Sequence, residues 1–448
     1  MKLEMDREEL KRLLLYGSQK GIDEIIEDIH PADILDVLHE IEAVDVIKIL
    51  HRIPEWLIAE VIDEEDDEEK YALLVNFSEK KQKNILKEMS SDEIADLLGS
   101  LDEIESKRIL DNMPVEEAED VKQLLTYAPD TAGGIMATEY ISIKENMTVK
   151  ETLKYLQKVA PNAESAYYLY VVDEDEKLKG VVSLREIVVS PFDTLIIDVL
   201  NSNVISVHHD MDQEEVAHRF EKYGFLTMPV INDEEQMLGI VTVDDIIDVL
   251  RDETTEDIHR LGGVGESEKV NGTLFESVRS RLPWLFVNLL TAMLASATVS
   301  MFEGTISKVV ILATFMPIVA GMGGNAGTQT LTIVVRGLAL GELNFENAKK
   351  IFFKEIGVGL TNGLSVGICI SIIGGVWSGK PVFGLVIGLA MILNMTVATT
   401  AGFLVPLTLK KLKIDPALAS AVFVTTATDV LGFFFFLGLA TVFIQYLI

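Results

Sequence analysis

The chain has 448 residues with 71 acidic and 38 basic side chains, yet 48% of it is apolar and its mean hydropathy is +0.28, so two solvents are implied. Residues 271–448 hold 7 of the acids and 11 of the bases, which leaves 64 acids against 27 bases in residues 1–270, a net charge of −37. A region this acidic repels nucleic-acid phosphates and anionic lipid, which excludes nucleic acid as a partner and makes cations its natural ligands. The single cysteine, Cys369, lies in an apolar run, and the seven histidines all precede residue 271 without catalytic or zinc spacing; neither a disulfide framework nor an enzyme is expected.

The N-terminus, Met1 to Leu15, alternates charges with leucines and has no apolar core of the kind a secretory signal needs, so residues 1–270 are expected in the cytoplasm. Residues 22–125 read as short helices punctuated by prolines, with Ile34, Leu35, Leu38 and Ile41 at helical spacing. The segment from His30 to Leu38 recurs sixty positions on as Ser90 to Leu98, and Ile53-Pro54-Glu55 recurs as Met113-Pro114-Val115, the pattern of a small helical solenoid. The acidic run from Asp63 to Glu69 between them is expected to be a solvated loop. Asp92 and Asp96, at i and i+4, share one helix face, where like charges are mildly destabilising unless a cation or water lies between them.

Residues 136–250 contain a second duplication. Ile141-Ser142 with Met147 matches Ile205-Ser206 with Met211, and each half then reads helix, strand, turn, strand, helix, ending in Gly180 to Ile187 and Gly239 to Ile246. The pattern Gly-x-x-Ser/Thr-x-x-Asp entering a helix resembles a tandem pair of CBS domains. In that family the hydroxyl and the carboxylate sit at a helix mouth where an adenosine nucleotide can bind, which points to Thr242 and Asp245. In the first repeat Ser183 is followed by Glu186 in place of Asp, and Ser or Thr at a strand end also serves simply as a helix cap.

Beyond Asp245, an acidic amphipathic stretch from Asp248 to Leu261 leads to a Gly262-Gly263 break and is expected to be a connecting helix at the membrane face. Five apolar runs follow, Trp284–Phe302, Val309–Val335, Ile356–Gly379, Pro381–Leu409 and Pro416–Ile448, each able to hold the ~20 residues of a spanning helix. Arg279 and Arg281 precede the first, Arg336, Lys349, Lys350 and Lys354 follow the second, and Lys410, Lys411 and Lys413 precede the fifth. The positive-inside rule then puts the N-terminus in the cytoplasm and the C-terminus outside.

Asp429, thirteen positions past Pro416, lies ~20 Å along the last run, near the middle of a bilayer. A carboxylate there costs about 3 kcal/mol on insertion scales and usually faces a water-filled path or a partner. Thr425, Thr426 and Thr428 surround it with hydroxyls, and Gly432 lets another helix approach. In the second run Pro317 and the glycines from Gly321 to Gly327 bend or open a membrane helix, or pack it closely. Asn325 and Gln329, one turn apart, add polar groups that packing alone does not need, and Asn394 in the fourth run is similarly placed.

Pro-x-x-x-Gly-x-Gly-Gly-Asn-x-Gly-x-Gln in the second run and Thr-Thr-x-Thr-Asp-x-x-Gly-Phe in the fifth resemble the MgtE-type magnesium transporters, and the resemblance covers nearly the whole chain. It implies a multidomain fold: an all-α superhelical N-domain (1–130), an α/β tandem CBS pair (131–247), an amphipathic plug helix (248–275) and a membrane domain of five transmembrane helices (276–448). It implies a homodimer in the plasma (inner) membrane, importing Mg²⁺ and gated closed by Mg²⁺ on the cytoplasmic side, and the CBS resemblance adds ATP or a related nucleotide as a regulator. Asp429 becomes the pore carboxylate, with Asn325, Gln329 and Thr425 beside it. The matching regulatory positions are Asp92, Asp96, Asp245, Asp248, Glu253, Glu256, Asp257 and Asp415, and Thr242, Asp245 and Ser183 are the nucleotide positions. A secondary carrier for another divalent cation such as Co²⁺ or Mn²⁺ would use the same Asp429.

Overall fold

The computed structural model describes residues 6–160, 163–265, 268–418 and 420–448. They form two compact units, Met1–Leu250 and Arg251–Ile448.

The first unit opens with short helices: α1 (Arg7–Tyr16), α2 (Gln19–Asp23), α3 (Pro31–His39), α4 (Ala43–Leu50), α5 (Glu55–Asp63), α6 (Asp67–Leu74), α7 (Glu79–Leu86), α8 (Ser91–Gly99), α9 (Glu103–Asn112) and α10 (Val115–Leu124). The sixty-residue repeat is visible as geometry. Each helix from α1 to α5 has its counterpart sixty positions later in α6 to α10, with Pro54 and Pro114 as matching N-caps of α5 and α10. Such helices are too short to be stable alone and depend on the apolar stripe each buries. Ile34, Leu57, Ile58, Ile62, Ile94 and Leu98 form that stripe, in one core with Val230, Val241 and Ile246 from the following segment.

The CBS-like duplication appears as β1 (Ser142–Lys144), α11 (Val149–Val159), β2 (Tyr168–Val172), β3 (Leu178–Ser183) and α12 (Leu184–Val189), then β4 (Val207–His208), α13 (Gln213–Tyr223), β5 (Thr227–Ile231), β6 (Met237–Thr242) and α14 (Val243–Gly262). Each half is a three-stranded sheet in sequence order, its first pair parallel and its second antiparallel. The halves join symmetrically: Leu178 N–H donates to Glu235 O at 3.1 Å, and Met237 N–H donates to Glu176 O at 3.1 Å. The turn residues Glu176 and Glu235 share the left-handed conformation, with φ of 59° and 63°.

Helix α14 is unbroken through residue 247, so the expected domain boundary there lies inside a helix, and Gly263 at φ 66° follows its end. The second unit continues with α15 (Leu274–Ser300), α16 (Glu303–Lys308), α17 (Ile311–Ala339), α18 (Ala348–Ser378), α19 (Pro381–Lys411), α20 (Ser420–Val442) and α21 (Ile444–Leu447). Helix α19 is the centre, packed against α17, α18 and α20, while α15 lies against α20 with most of its apolar surface exposed. Small residues allow the close approach. A methyl group on Gly367 would stand 2.9 Å from Gly388 O, and one on Gly402 would stand 2.7 Å from Gly327 O.

Among the described residues four helices, α15, α18, α19 and α20, are long and apolar enough to cross a membrane by length and composition. The expected count of five is therefore not reached on that ground. Helix α17 has the length, at 29 residues, but its Gly-Gly-Asn-Ala-Gly-Thr-Gln-Thr stretch dilutes the apolar character.

Candidate cation path and carboxylate cluster

In the second unit Asp429 lies near the middle of α20, half-buried, and among the described residues it has neither an ion-pair nor a hydrogen-bond partner. The hydroxyls around it are turned into their own helix. Thr425 Oγ1 donates to Ala421 O at 2.8 Å, Thr426 Oγ1 to Val422 O at 2.6 Å, and Thr428 Oγ1 to Thr425 O at 2.9 Å. Their protons are thus committed, and the oxygens remain as acceptors, the polarity a hydrated cation needs.

Helix α17 meets α20 where a methyl group on Gly327 would stand 2.6 Å from Val424 Cγ1, so this glycine sets the spacing of the two helices. Asn325 and Gln329 both lie on the exposed side of α17, and no hydrogen bond joins them to Asp429. Asn394 is fully buried and wedged between α17 and α20.

The first unit gathers carboxylates. Ser91 Oγ, at the start of α8, lies 2.9 Å from Thr138 Oγ1 and donates to Glu139 Oε2 at 2.8 Å, which pins α8 to the segment entering β1. This brings Asp92 into the field of Glu139 and Asp245. Burial raises Asp92 above the ordinary carboxylate range. Burial, then the charges of Asp67 and Glu93, push Asp96 up to about 8. Asp245 is pushed up to about 7 by burial, then by Asp92. Glu93 reaches about 7 by burial although Lys70 pulls it down, and Asp63 reaches about 9 by burial and then Glu93. The counter-charge is the buried Lys70, whose ammonium pairs with Glu93 and lies 2.7 Å from Asp67. One ammonium cannot neutralise so many acids, and Asp63 Oδ1 is buried without a hydrogen-bond partner among the described residues. Further cation would be stabilising here. The side chains do not form a finished cage: among the described residues no three His, Cys, Asp or Glu converge as ready-made metal ligands.

The profile of the MgtE intracellular N domain matches residues 29–130, that of the CBS domain matches 132–191 and 196–252, and that of MgtE, a divalent cation transporter, matches 316–439. The magnesium transporter MgtE of Thermus thermophilus is 36% identical over 442 residues, covering 97% of this chain and 98% of that protein. This chain belongs to the MgtE family. Its Enterococcus faecalis relative, also named magnesium transporter MgtE, is 43% identical over 74% of this chain and 73% of its own length. Among solved structures, the cytosolic domain of the Mg²⁺ channel MgtE in complex with ATP is 37% identical, with a TM-score of 0.52, covering 55% of this chain and 100% of that one. The soluble part of a magnesium transporter fits equally well, at 38% identity and a TM-score of 0.52. MgtE proteins are transporters, and no enzyme activity follows from this membership.

The residues expected to hold a nucleotide are engaged locally. Ser183 and Glu186 form a reciprocal capping box at the start of α12, and Thr242 Oγ1 donates to Asp245 Oδ2 at 2.5 Å. On α14, Asp248 is exposed, while Glu253, Glu256 and Asp257 are partly buried. Burial, then Glu253, raises Asp257, against the pull of Arg260 and Arg336. Arg260 pairs with both Glu256 and Asp415, and Asp415 Oδ1 accepts from Ala417 N–H at 2.6 Å.

Several residues of these two groups escape the sequence reading. The run from Asp63 to Glu69 is not one solvated loop, because it is divided between the end of α5 and the start of α6, and Lys70 behind it is buried. A lone lysine closing a run of acids was the available signal. Glu93 adjoins Asp92 directly, Glu139 carried no pattern, and Arg260 was one of the few bases in an acidic stretch.

Proposed function

We propose that this chain is a Mg²⁺-selective channel that imports Mg²⁺ across the plasma membrane and closes when Mg²⁺ binds its acidic cytoplasmic region. The observation that carries the reading is Asp429: a carboxylate half-buried in an apolar bundle, without a counter-charge among the described residues, surrounded by hydroxyl oxygens that can only accept. Such a residue is expensive in a membrane unless a cation path runs past it. Mg²⁺ surrenders its six waters reluctantly, so a carboxylate that binds it through them is a sound selectivity device.

The pore is built in a homodimer, in which the exposed Asn325 and Gln329 of α17 and the half-buried Asp429 of α20 face the second copy. All five long helices, α17 included, span the bilayer; the N-terminus is cytoplasmic and the C-terminus outside. The N-domain (1–130), CBS pair (131–247) and plug segment (248–275) form the sensor, with Asp92, Asp96, Asp245, Asp248, Glu253, Glu256, Asp257 and Asp415 taking the regulatory ions.

ATP binds the CBS pair near Thr242 and Asp245, a reading supported by the 37% identical cytosolic domain that was solved with ATP. Calorimetry of the full chain with millimolar ATP tests it, and a folded protein giving no heat would leave Thr242 and Asp245 as a helix cap.

Flux through the purified protein in liposomes, with Mg²⁺ set independently on each side, tests the main proposal. Uptake down the Mg²⁺ gradient that shuts off as Mg²⁺ rises on the cytoplasmic side is expected. Transport of Co²⁺ or Mn²⁺ tied to a second ion's gradient, without Mg²⁺ flux, would replace the channel with a carrier.

A further inference from the structure

Asn394, near the middle of α19, has 0% of its surface exposed. Its Nδ2 donates to Val319 O of α17 at 2.7 Å, while its Oδ1 is buried with no hydrogen-bond partner among the described residues. Two glycines make room for the amide. A methyl group on Gly323 of α17 would overlap Nδ2, and one on Gly432 of α20 would stand 2.7 Å from Oδ1. The side chain is therefore held between the two helices that carry the pore segments, with one face of its amide against Gly432, where a methyl group would stand 2.7 Å from Oδ1 and 2.8 Å from Nδ2. Asp429 lies three residues before Gly432, so the two are neighbours on one helix face.

A buried acceptor left unpaired is unfavourable, and an apolar side chain at this position would carry no such penalty. The glycines at 323 and 432 would also be unnecessary if the position held a smaller residue. The expense is explained if the oxygen acquires a donor when the path is in use. A hydrated divalent cation held at Asp429 supplies such donors, because its charge polarises every O–H of its shell outward.

We infer that Asn394 is a positioning residue of the cation path: Oδ1 accepts a hydrogen bond from a water of the hydrated Mg²⁺ held at Asp429, and Nδ2, tied to Val319 O, fixes the direction of that acceptor. Asn394 acts on the ion's hydration shell and not on the ion itself. The inference rests on the proposed role of Asp429 in Mg²⁺ transport.

The test is liposome flux of the full-length protein carrying Asn394→Leu, with hexaamminecobalt(III), whose ammines donate hydrogen bonds as the waters of hydrated Mg²⁺ do, as a blocker. The expected result is a half-saturating Mg²⁺ concentration about tenfold higher and a similarly weakened block, the loss of one hydrogen bond to a charged donor. Gly432→Ala, which keeps Asn394 but displaces its oxygen, should shift both quantities in the same direction, and it serves if the leucine variant fails to assemble. A melting temperature that falls while half-saturation and block stay at parental values would make Asn394 a packing residue and overturn the inference. The Asp429→Asn variant separates the two levels. If it transports like the parent, the reading of the path fails; if it is silent while Asn394→Leu behaves like the parent, only the role of Asn394 fails.

Discussion

The guanidinium of Arg260, in the last turn of α14, pairs with Asp415, five residues ahead of α20, and with Glu256 one turn back on its own helix. A covalently attached cation thus already occupies the place where a divalent ion bridging α14 to the approach of α20 would be expected. Both Arg260 and Asp415 are partly exposed, so solvent moderates the pair to about 1 kcal/mol. Arg260→Gln should weaken the hold on α14 and raise the cytoplasmic Mg²⁺ concentration that half-closes the pore by roughly fivefold. Flux measured at stepped internal Mg²⁺ checks this, and an unchanged closing concentration would leave the ion pair without a part in gating.

Changing Asp248, Glu253, Glu256 and Asp257 together to their amides removes both candidate Mg²⁺ ligands and mutual repulsion. The repulsion favours a spread state and the bridges a compact one, and closure requires Mg²⁺ to prefer the compact state. With Arg260 also losing its Glu256 partner, the lost bridges should dominate, so the variant stays open at Mg²⁺ levels that shut the parent. Should it close at the parental concentration, α14 is not the sensor and the Asp92 and Asp96 face takes its place as the candidate.

Asp429→Asn removes the charge but keeps the size, and should abolish Mg²⁺ uptake while expression and assembly persist. Asp429→Glu should retain part of the flux, since the carboxylate survives with a longer stem. Complementation of a strain lacking other Mg²⁺ importers is the assay, and normal growth with the Asn variant would remove Asp429 from the mechanism.

Much of this architecture was legible because its signals are periodic. The sixty-residue helical repeat, the doubled sheet unit and the long apolar runs all rest on spacing, which a single sequence displays directly. The glycines of α17 could be read as open backbone or close packing, and Gly327 against Val424 is a packing contact. What spacing does not display is partnership across the chain. Lys70 meets Glu93 from a different helix, Ser91 meets Glu139 over 48 positions, and Asn394 meets Val319 over 75. The asparagine was visible as a polar residue in an apolar run, but its unpaired oxygen follows only from the burial of Oδ1 among the helices around it.

The carboxylate cluster makes a prediction about protons as well as Mg²⁺. Asp96 is raised to about 8, and Glu93 and Asp245 to about 7, from ordinary values near 4. Raised carboxylates mean that the folded unit binds more protons than the unfolded chain between about pH 4 and pH 8, so without Mg²⁺ its stability is greatest at the acid end of that window and falls as pH rises. Mg²⁺ stabilises the ionised form and so competes with these protons. Its binding should release protons, and the rise in melting temperature produced by millimolar Mg²⁺ should be larger at about pH 8 than at about pH 6. An equal ionic strength of Na⁺ should reproduce little of this, because screening leaves carboxylates in close contact coupled. Asp96→Asn should flatten the pH dependence and reduce the Mg²⁺ effect together, since one side chain supplies both. Thermal melts of residues 1–250 within the full chain, followed by a probe placed in that unit, give the comparison. A Mg²⁺ shift that is the same at both pH values would mean that the ion binds elsewhere and that Asp92, Glu93, Asp96 and Asp245 are kept neutral by their protons alone.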